Sequence, residues 1–83
     1  MSVILYAVSS EKSASLIERS NVLTLVVARK ATKAEIKADV EKQFNEKVRK
    51  ITTLITADGR KKEFVHFAKQ GAAADAAAKL KII

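Results

Sequence analysis

An antiparallel β-sheet flanked by helices, in the order β-α-β-α-β-β-α, is the α+β fold that this sequence predicts. Three features predict it: a helix with a capping box at Thr32, apolar runs of strand character on both sides of that helix, and an Asp58-Gly59 hairpin signal. No proline, internal repeat or long linker divides the chain. We therefore expect residues 1–83 to form a single domain.

The chain begins with a short strand and a short helix. Val3–Val8 is an apolar run with β-branched and aromatic residues, which is typical of a strand. Ser9 or Ser10 can then cap a helix over Ser13–Ser20, and Asn21 ends that helix.

The second strand and second helix give the clearest patterns. Val22–Ala28 is almost continuously apolar, which indicates a strand that is covered on both faces. Thr32 and Glu35 have the spacing of a capping box, in which each side chain bonds the backbone amide of the other residue. The helix that follows has one narrow apolar stripe, formed by Ile36, Val40 and Phe44.

A hairpin and a third helix complete the predicted fold. Apolar residues in Val48–Thr56 are irregularly spaced, so we expect a strand with a bulge near Lys50–Ile51. Asp58-Gly59 favours a type I′ turn with positive φ at both central residues, so Arg60–Phe67 should return antiparallel. Ala72–Leu80 has the composition and charge order of a helix, and three apolar residues should tie it to the body: Leu80, Ile82 and Ile83.

The charge balance suggests a polyanionic partner. Sixteen Lys and Arg residues oppose nine Asp and Glu residues, which gives a formal charge of +7. A lysine-rich surface also serves solubility, so composition alone leaves both interpretations open. Without cysteine, disulfides and thiolate metal sites are excluded. With neither a membrane-length apolar run nor a signal-peptide pattern at the N-terminus, we expect a cytoplasmic protein without membrane contact.

The sequence does not favour an enzyme. His66, the single histidine, lies in a predicted strand between two phenylalanines, where a structural role is favoured over catalysis. The carboxylates are scattered among lysines, which suggests a solvated salt-bridge face. Two glycines cannot form a phosphate-binding loop of the dinucleotide or P-loop kind. We expect no cofactor, no metal and no small-molecule substrate.

One segment partly matches the aromatic strand with which RRM domains stack RNA bases. Lys62–Phe67 contains the Phe-Val-x-Phe part of that motif but lacks its glycine-containing part. Strand alternation puts Lys62, Phe64 and His66 on one face of the strand. It puts Glu63, Val65 and Phe67 on the other face. Core packing is therefore favoured over base stacking.

Basic side chains concentrate in three parts of the chain, which favours contact with phosphates and recognition of RNA shape. A solvated surface would explain any one of these clusters. The candidates are Arg29, Lys30, Lys33 and Lys37 at the strand-to-helix junction and beyond it, Arg60, Lys61 and Lys62 at the hairpin, and Arg49 and Lys50 in its partner strand.

Several segments, in the same order, resemble one protein family. They are Ser10-Glu11-Lys12, Asn21 with Thr24–Val27, Ala31–Lys37 with Val40-Glu41 and Phe44, Val48 with Ile51–Leu54, and Lys61–Val65. Together they cover most of Ser10–Phe67, and they resemble the L23 family of large-subunit ribosomal proteins.

The resemblance implies binding to large-subunit rRNA beside the polypeptide tunnel exit, among neighbouring large-subunit proteins. It also implies a docking site for signal recognition particle and nascent-chain chaperones, with Glu11 matching the exposed glutamate that contacts such factors. The basic positions expected to face rRNA are matched by Lys12, Lys33, Lys37, Lys61 and Lys62.

This sequence departs from the family pattern at Thr52 and Glu63, where asparagine and alanine are usual. Bacterial members also carry a long extension that reaches into the tunnel, whereas this chain has only Ala57–Arg60, as in the short archaeal form. A role inside the tunnel is therefore not expected.

Two other functions remain open on sequence grounds. One is a free-standing basic module that binds nucleic acid or has a regulatory role. The other is a protein-interaction domain whose lysines serve only solubility. Co-sedimentation with large subunits and RNA binding at low ionic strength distinguish these alternatives.

Overall fold

A computed structural model describes residues 3–80, which form one antiparallel four-stranded sheet and three helices in the predicted order. The sheet order is β1-β2-β4-β3, so that β2 and β4 are central and β1 and β3 are the edges. The predicted α+β class is confirmed. Ile82 and Ile83 lie outside the described residues. The elements are β1 Ile4–Ala7, α1 Glu11–Ser20, β2 Val22–Val27, α2 Lys33–Phe44, β3 Val48–Ile55, β4 Lys61–Phe67 and α3 Ala72–Lys79.

Side-chain caps fix the ends of α1 and α2. The Thr32 amide donates to the Glu35 carboxylate at 3.0 Å and the Glu35 amide to the Thr32 hydroxyl at 3.1 Å, which confirms the capping box. Ser10 forms a second capping box with Ser13, so α1 begins at Glu11, two residues before the predicted start. Asn21 then ends α1 in the left-handed conformation, with φ of 57°.

The first face of the sheet, which carries Leu23, Leu25 and Val65, packs on the hydrophobic core. The predicted stripe of α2 is fully buried in that core, together with alanines of α3. Leu80 is partly buried against it, as predicted. The core therefore depends on a narrow seam of one helix and the small side chains of another. Its members on α2 and α3 are Ile36, Val40, Phe44, Ala72, Ala73, Ala76 and Ala77.

The second face of the sheet carries Lys62, Phe64 and His66 of β4 and their neighbours in β2 and β3. All residues of β2 are buried, so this strand is covered on both faces, as predicted. Phe67 packs in the core while Phe64 is only half-buried on the second face. The predicted alternation along β4 is therefore confirmed.

The hairpin between β3 and β4 differs from the predicted type I′ turn. Gly59 has φ of 88°, but Asp58 does not have positive φ. The Gly59 amide donates to the Thr56 carbonyl at 3.0 Å, and the Thr56 and Arg60 backbones pair at 2.9 Å, which is the pattern of a three-residue loop. The Thr56 hydroxyl holds this loop, because it donates to Asp58 and accepts from the Arg60 amide.

The bulge in β3 is also displaced from its predicted position. The register between β3 and β4 shifts between Val48 and Lys50, which is before the predicted Lys50–Ile51 step. Beyond the shift, pairing is regular from Lys50 to Ile55. The irregular apolar spacing indicated that a bulge exists, but apolar spacing alone did not fix which residue is the extra one.

Candidate nucleic-acid interface

Two of the predicted basic clusters meet at one end of the sheet. Val27 pairs with Lys61, so the segment after β2 lies beside the start of β4. Nη1 of Arg29 donates to the Gly59 carbonyl at 3.2 Å, and Nζ of Lys61 donates to the Ala31 carbonyl at 2.5 Å. We call Arg29, Lys30, Arg60 and Lys61 the basic end.

Arg60 is partly occupied by contacts within the protein. Its guanidinium forms an ion pair with Asp58 at 3.1 Å, and its Nη1 donates to the Tyr6 hydroxyl at 3.0 Å. The hydrogen bond from Thr56, followed by the charge of Arg60, holds the pKa of Asp58 below its ordinary value of 3.8. Asp58 thus stays ionised at neutral pH and offsets part of the positive charge, while Arg29 and Lys30 are both exposed beside it.

Helix α2 continues the basic end. Lys33 is its first residue and follows closely after Ala31, whose carbonyl accepts from Lys61. Lys33 and Lys37 are both exposed, because the apolar stripe of α2 faces the sheet. Since they are four residues apart, they lie on the same side of α2 about one turn apart, with Cβ atoms roughly 5–6 Å from each other.

Lys12 and Lys62 meet in a different place. They line a groove between α1 and the second face of the sheet, with a cavity volume of about 110 Å³. We call it the α1 groove. Its other walls are Val8, Ser10, Ser13 and Leu16 on the α1 side and Thr24, Leu54 and Phe64 on the sheet.

Arg49 and Lys50 are not brought to the basic end. They lie at the start of β3, whereas the hairpin follows its last residue, Ile55. Seven residue steps of about 3.3 Å put the two ends of this strand roughly 23 Å apart. Lys50 pairs instead with His66, whose pKa is held below 6.5 by burial and then by the charges of Lys50 and Arg49.

Glu11 is the one acidic residue among the contacts predicted from the sequence. It is exposed in the first turn of α1, directly after the Ser10 cap. A carboxylate there is favoured by the helix dipole, and it stays accessible to a partner.

The predicted solvated salt-bridge face is wrong for three carboxyl groups. The Asp39 side chain accepts from the Val3 amide at 3.1 Å, and that of Glu41 accepts from the Val48 amide at 3.0 Å. Glu63 is fully buried on the first face and accepts a hydrogen bond from Thr53. The alternation of β4 already placed Glu63 with Val65 and Phe67, and this was the signal that it faces inward.

Sequence reasoning also missed the hydroxyl of Thr24. Thr24 is 3% exposed, and its Oγ1 has no hydrogen-bond partner among the described residues. Thr52, by contrast, is exposed, with its hydroxyl 3.4 Å from Nε2 of His66. A threonine inside an apolar strand is ordinary in sequence, so only the structure shows the unpaired hydroxyl.

Neither a metal site nor a membrane span is found in the part of the chain that the structure describes. No group of three or more His, Asp or Glu side chains within residues 3–80 could hold a metal ion. None of the helices in the same range has the length and apolar character needed to cross a bilayer.

Comparison with known proteins identifies similar chains. The family model described as ribosomal protein L23 matches residues 2–81. A curated relative from Pyrobaculum aerophilum, named large ribosomal subunit protein uL23, is 43% identical over 76 residues. That match covers 92% of this chain and 94% of the relative.

Proposed function

Because this chain belongs to the ribosomal protein L23 family, we propose that it binds large-subunit rRNA beside the polypeptide tunnel exit. Membership of this family makes it a structural protein of the large ribosomal subunit in the cytoplasm rather than an enzyme. We further propose that it helps to form the docking site there for signal recognition particle and nascent-chain chaperones. In this proposal residues 1–83 act as one rRNA-binding domain among neighbouring large-subunit proteins.

The basic end is the observation that carries the rRNA proposal. Arg29 and Lys61 come from segments far apart in sequence, yet both are fixed by hydrogen bonds to backbone carbonyls. Lys33 and Lys37 extend the same positive surface along α2. Cations held at fixed spacing match a folded RNA backbone, where each phosphate contact releases condensed counterions.

The remaining proposed contacts lie at two other places. Lys12 and Lys62 present charge at the α1 groove, and Arg49 and Lys50 present it at the start of β3. A surface of this extent suits a partner that covers several sides of the domain, as folded rRNA does in a subunit. The full proposed set is Lys12, Arg29, Lys30, Lys33, Lys37, Arg49, Lys50, Arg60, Lys61 and Lys62.

Glu11 is the proposed contact for docking factors. It is exposed, it starts a helix, and it is not among the residues that line the α1 groove. Successive residues of a helix point about 100° apart, so Lys12 can face the groove while Glu11 faces a protein partner. The short loop between β3 and β4 supports placement outside the tunnel, because nothing in it projects beyond the sheet as a long extension would.

Hydroxyl-radical footprinting of the purified protein on large-subunit rRNA tests the proposal. We expect protection in a compact set of neighbouring rRNA segments, and a slope of log K against log salt near −4 for about five phosphate contacts. A nearly flat salt dependence, or protection spread evenly over the RNA, would contradict it. Family membership favours this function over a free-standing module, and retention on large subunits through moderate salt would confirm that choice.

A further inference from the structure

The α1 groove has the walls of a site for one small planar group. Phe64 and Leu54 provide apolar surface, and Lys12 and Lys62 are the positively charged residues in its lining. No carboxyl group is among the residues that line it. The cavity volume of about 110 Å³ is of the same order as the ~150 Å³ cavity that holds one benzene ring inside a protein. The groove is therefore large enough for about one ring.

Thr24 gives the groove a polar group that needs a partner. Its side chain lines the groove from β2, and its buried Oγ1 makes no hydrogen bond within residues 3–80. Buried hydroxyl groups are almost always paired in folded proteins, because an unpaired one loses its bonds to water without replacement. A ligand in the groove that offers a donor or an acceptor would remove this penalty.

Charge identifies the kind of occupant. On the second face, β3 and β4 present Lys50, Lys62 and His66, and within residues 3–80 no strand residue on that face is acidic. An apolar side chain from a protein partner would leave the Thr24 hydroxyl unpaired and both lysines without counter-charge. A nucleotide matches the aromatic ring, the hydroxyl group and the lysines of the groove. Its base stacks on an aromatic face, its base edge forms hydrogen bonds and its phosphates pair with lysines.

We propose that the α1 groove holds one unstacked base of large-subunit rRNA, in addition to the phosphate contacts of the basic end. The base lies against Phe64, its edge bonds Oγ1 of Thr24, and its flanking phosphates approach Lys12 and Lys62. This proposal rests on the proposed function, because it names a base contact within the same rRNA complex. The sequence favoured contact with phosphates and recognition of RNA shape over base stacking, whereas this proposal adds one stacked base.

Replacing the ring of Phe64 tests the stacking contact. Phe64→Leu should weaken binding to in vitro transcribed large-subunit rRNA roughly 5- to 150-fold, the range that corresponds to stacking of one base. The slope of log K against log salt should stay unchanged, because no charge is removed. Phe64→Tyr keeps the ring and should restore affinity. Equal affinity of Phe64→Leu and the original protein would overturn the proposal.

Replacing the hydroxyl of Thr24 tests the site in a second way. Thr24→Val has nearly the same shape, so it should raise resistance to urea by removing an unpaired buried group, yet weaken rRNA binding by roughly 3- to 10-fold. Thr24→Ser retains the hydroxyl and should bind rRNA like the original protein. A merely structural role predicts no loss of affinity in Thr24→Val, and that result would overturn the proposal.

The controls separate this proposal from the broader one. If large-subunit rRNA binds with the expected salt slope but neither variant weakens it, the base site fails and the phosphate contacts stand. If binding itself shows no salt dependence, the proposed function fails. Groove variants that weaken signal recognition particle docking while leaving rRNA affinity unchanged would assign the groove to a protein partner and also overturn the base site.

Discussion

The hydroxyl of Thr53 lies 2.7 and 2.9 Å from the two carboxyl oxygens of Glu63, whose side chain is fully buried. The two residues face each other across the β3–β4 pairing. Glu63 is therefore part of the interior rather than of the exposed surface.

We expect Thr53→Val to lower the free energy of unfolding by about 1–3 kcal/mol, because the buried carboxyl group of Glu63 loses a donor. The double variant Thr53→Val/Glu63→Leu should recover most of that loss, since both polar groups are then gone. Urea unfolding of the original protein, both single variants and the double variant measures the coupling. A loss in the double variant equal to the sum of the two single losses would show that the pair is not coupled.

Neutralising Lys33 and Lys37 together should weaken rRNA binding and reduce the salt slope by about 1.4–1.8, because two phosphate contacts are lost. Both side chains are exposed, so Lys33→Gln/Lys37→Gln should leave the urea midpoint unchanged. Lys42→Gln/Lys69→Gln removes the same charge from two exposed positions outside the proposed interface and serves as the control. Equal loss of affinity in both pairs would indicate only a net-charge effect.

Glu11→Gln should weaken the docking of signal recognition particle to large subunits while rRNA affinity stays the same. The variant keeps the size of an exposed side chain, so a change in docking reports the lost charge. Glu18→Gln changes an exposed glutamate in the same helix and should have no effect on docking. Comparable loss in both variants, measured by co-sedimentation, would remove Glu11 from the docking site.

The titration of His66 should follow from its surroundings. Burial and the charges of Lys50 and Arg49 hold its pKa below 6.5, so the folded protein favours the neutral ring. Below pH 6.5 the unfolded chain takes up this proton before the folded protein does, and stability should fall as the pH drops towards the folded pKa. His66→Gln should reduce that dependence. An NMR titration giving a pKa above 6.5 would contradict the assignment.

Gly59 should tolerate substitution less well than Gly71. Both have positive φ, of 88° and 84°, so an alanine at either place is strained, at a cost of about 1 kcal/mol or more. A Cβ at Gly59 would also lie 3.2 Å from Nη1 of Arg29, whereas nothing lies within 4 Å at Gly71. Gly59→Ala should thus lose more stability in urea and also weaken rRNA binding by displacing Arg29. If Gly59→Ala and Gly71→Ala changed stability in urea and rRNA affinity by the same amounts, the Arg29 side chain would move aside without cost.

Local sequence signals predicted most of the fold correctly. The Thr32 capping box, the stripe of α2 and the alternation of β4 each depend on a few neighbouring residues, and each is confirmed. The turn at Asp58 was predicted with the wrong geometry, because the hydrogen bonds of the Thr56 hydroxyl favour a different loop from the one that Asp-Gly usually forms.

The candidate site was harder to predict because it depends on which segments meet. Local sequence placed Arg29 and Lys61 in separate clusters, and only the pairing of β2 with β4 brings them together. The same limit hid the α1 groove, whose walls come from α1 and three strands. Residue types alone could suggest phosphate contact but not a pocket with an unpaired hydroxyl.

The pairing of β2 with β4 also has a kinetic consequence. Val22 lies opposite His66, and α2 and β3 occupy the stretch of chain between these two partners. During synthesis, the first half of the protein must wait for β4 to emerge before its central strand gains a second neighbour, and contacts of such long sequence separation slow folding. The same delay postpones the formation of the basic end, because Arg29 and Lys61 come together only after β4 has been made.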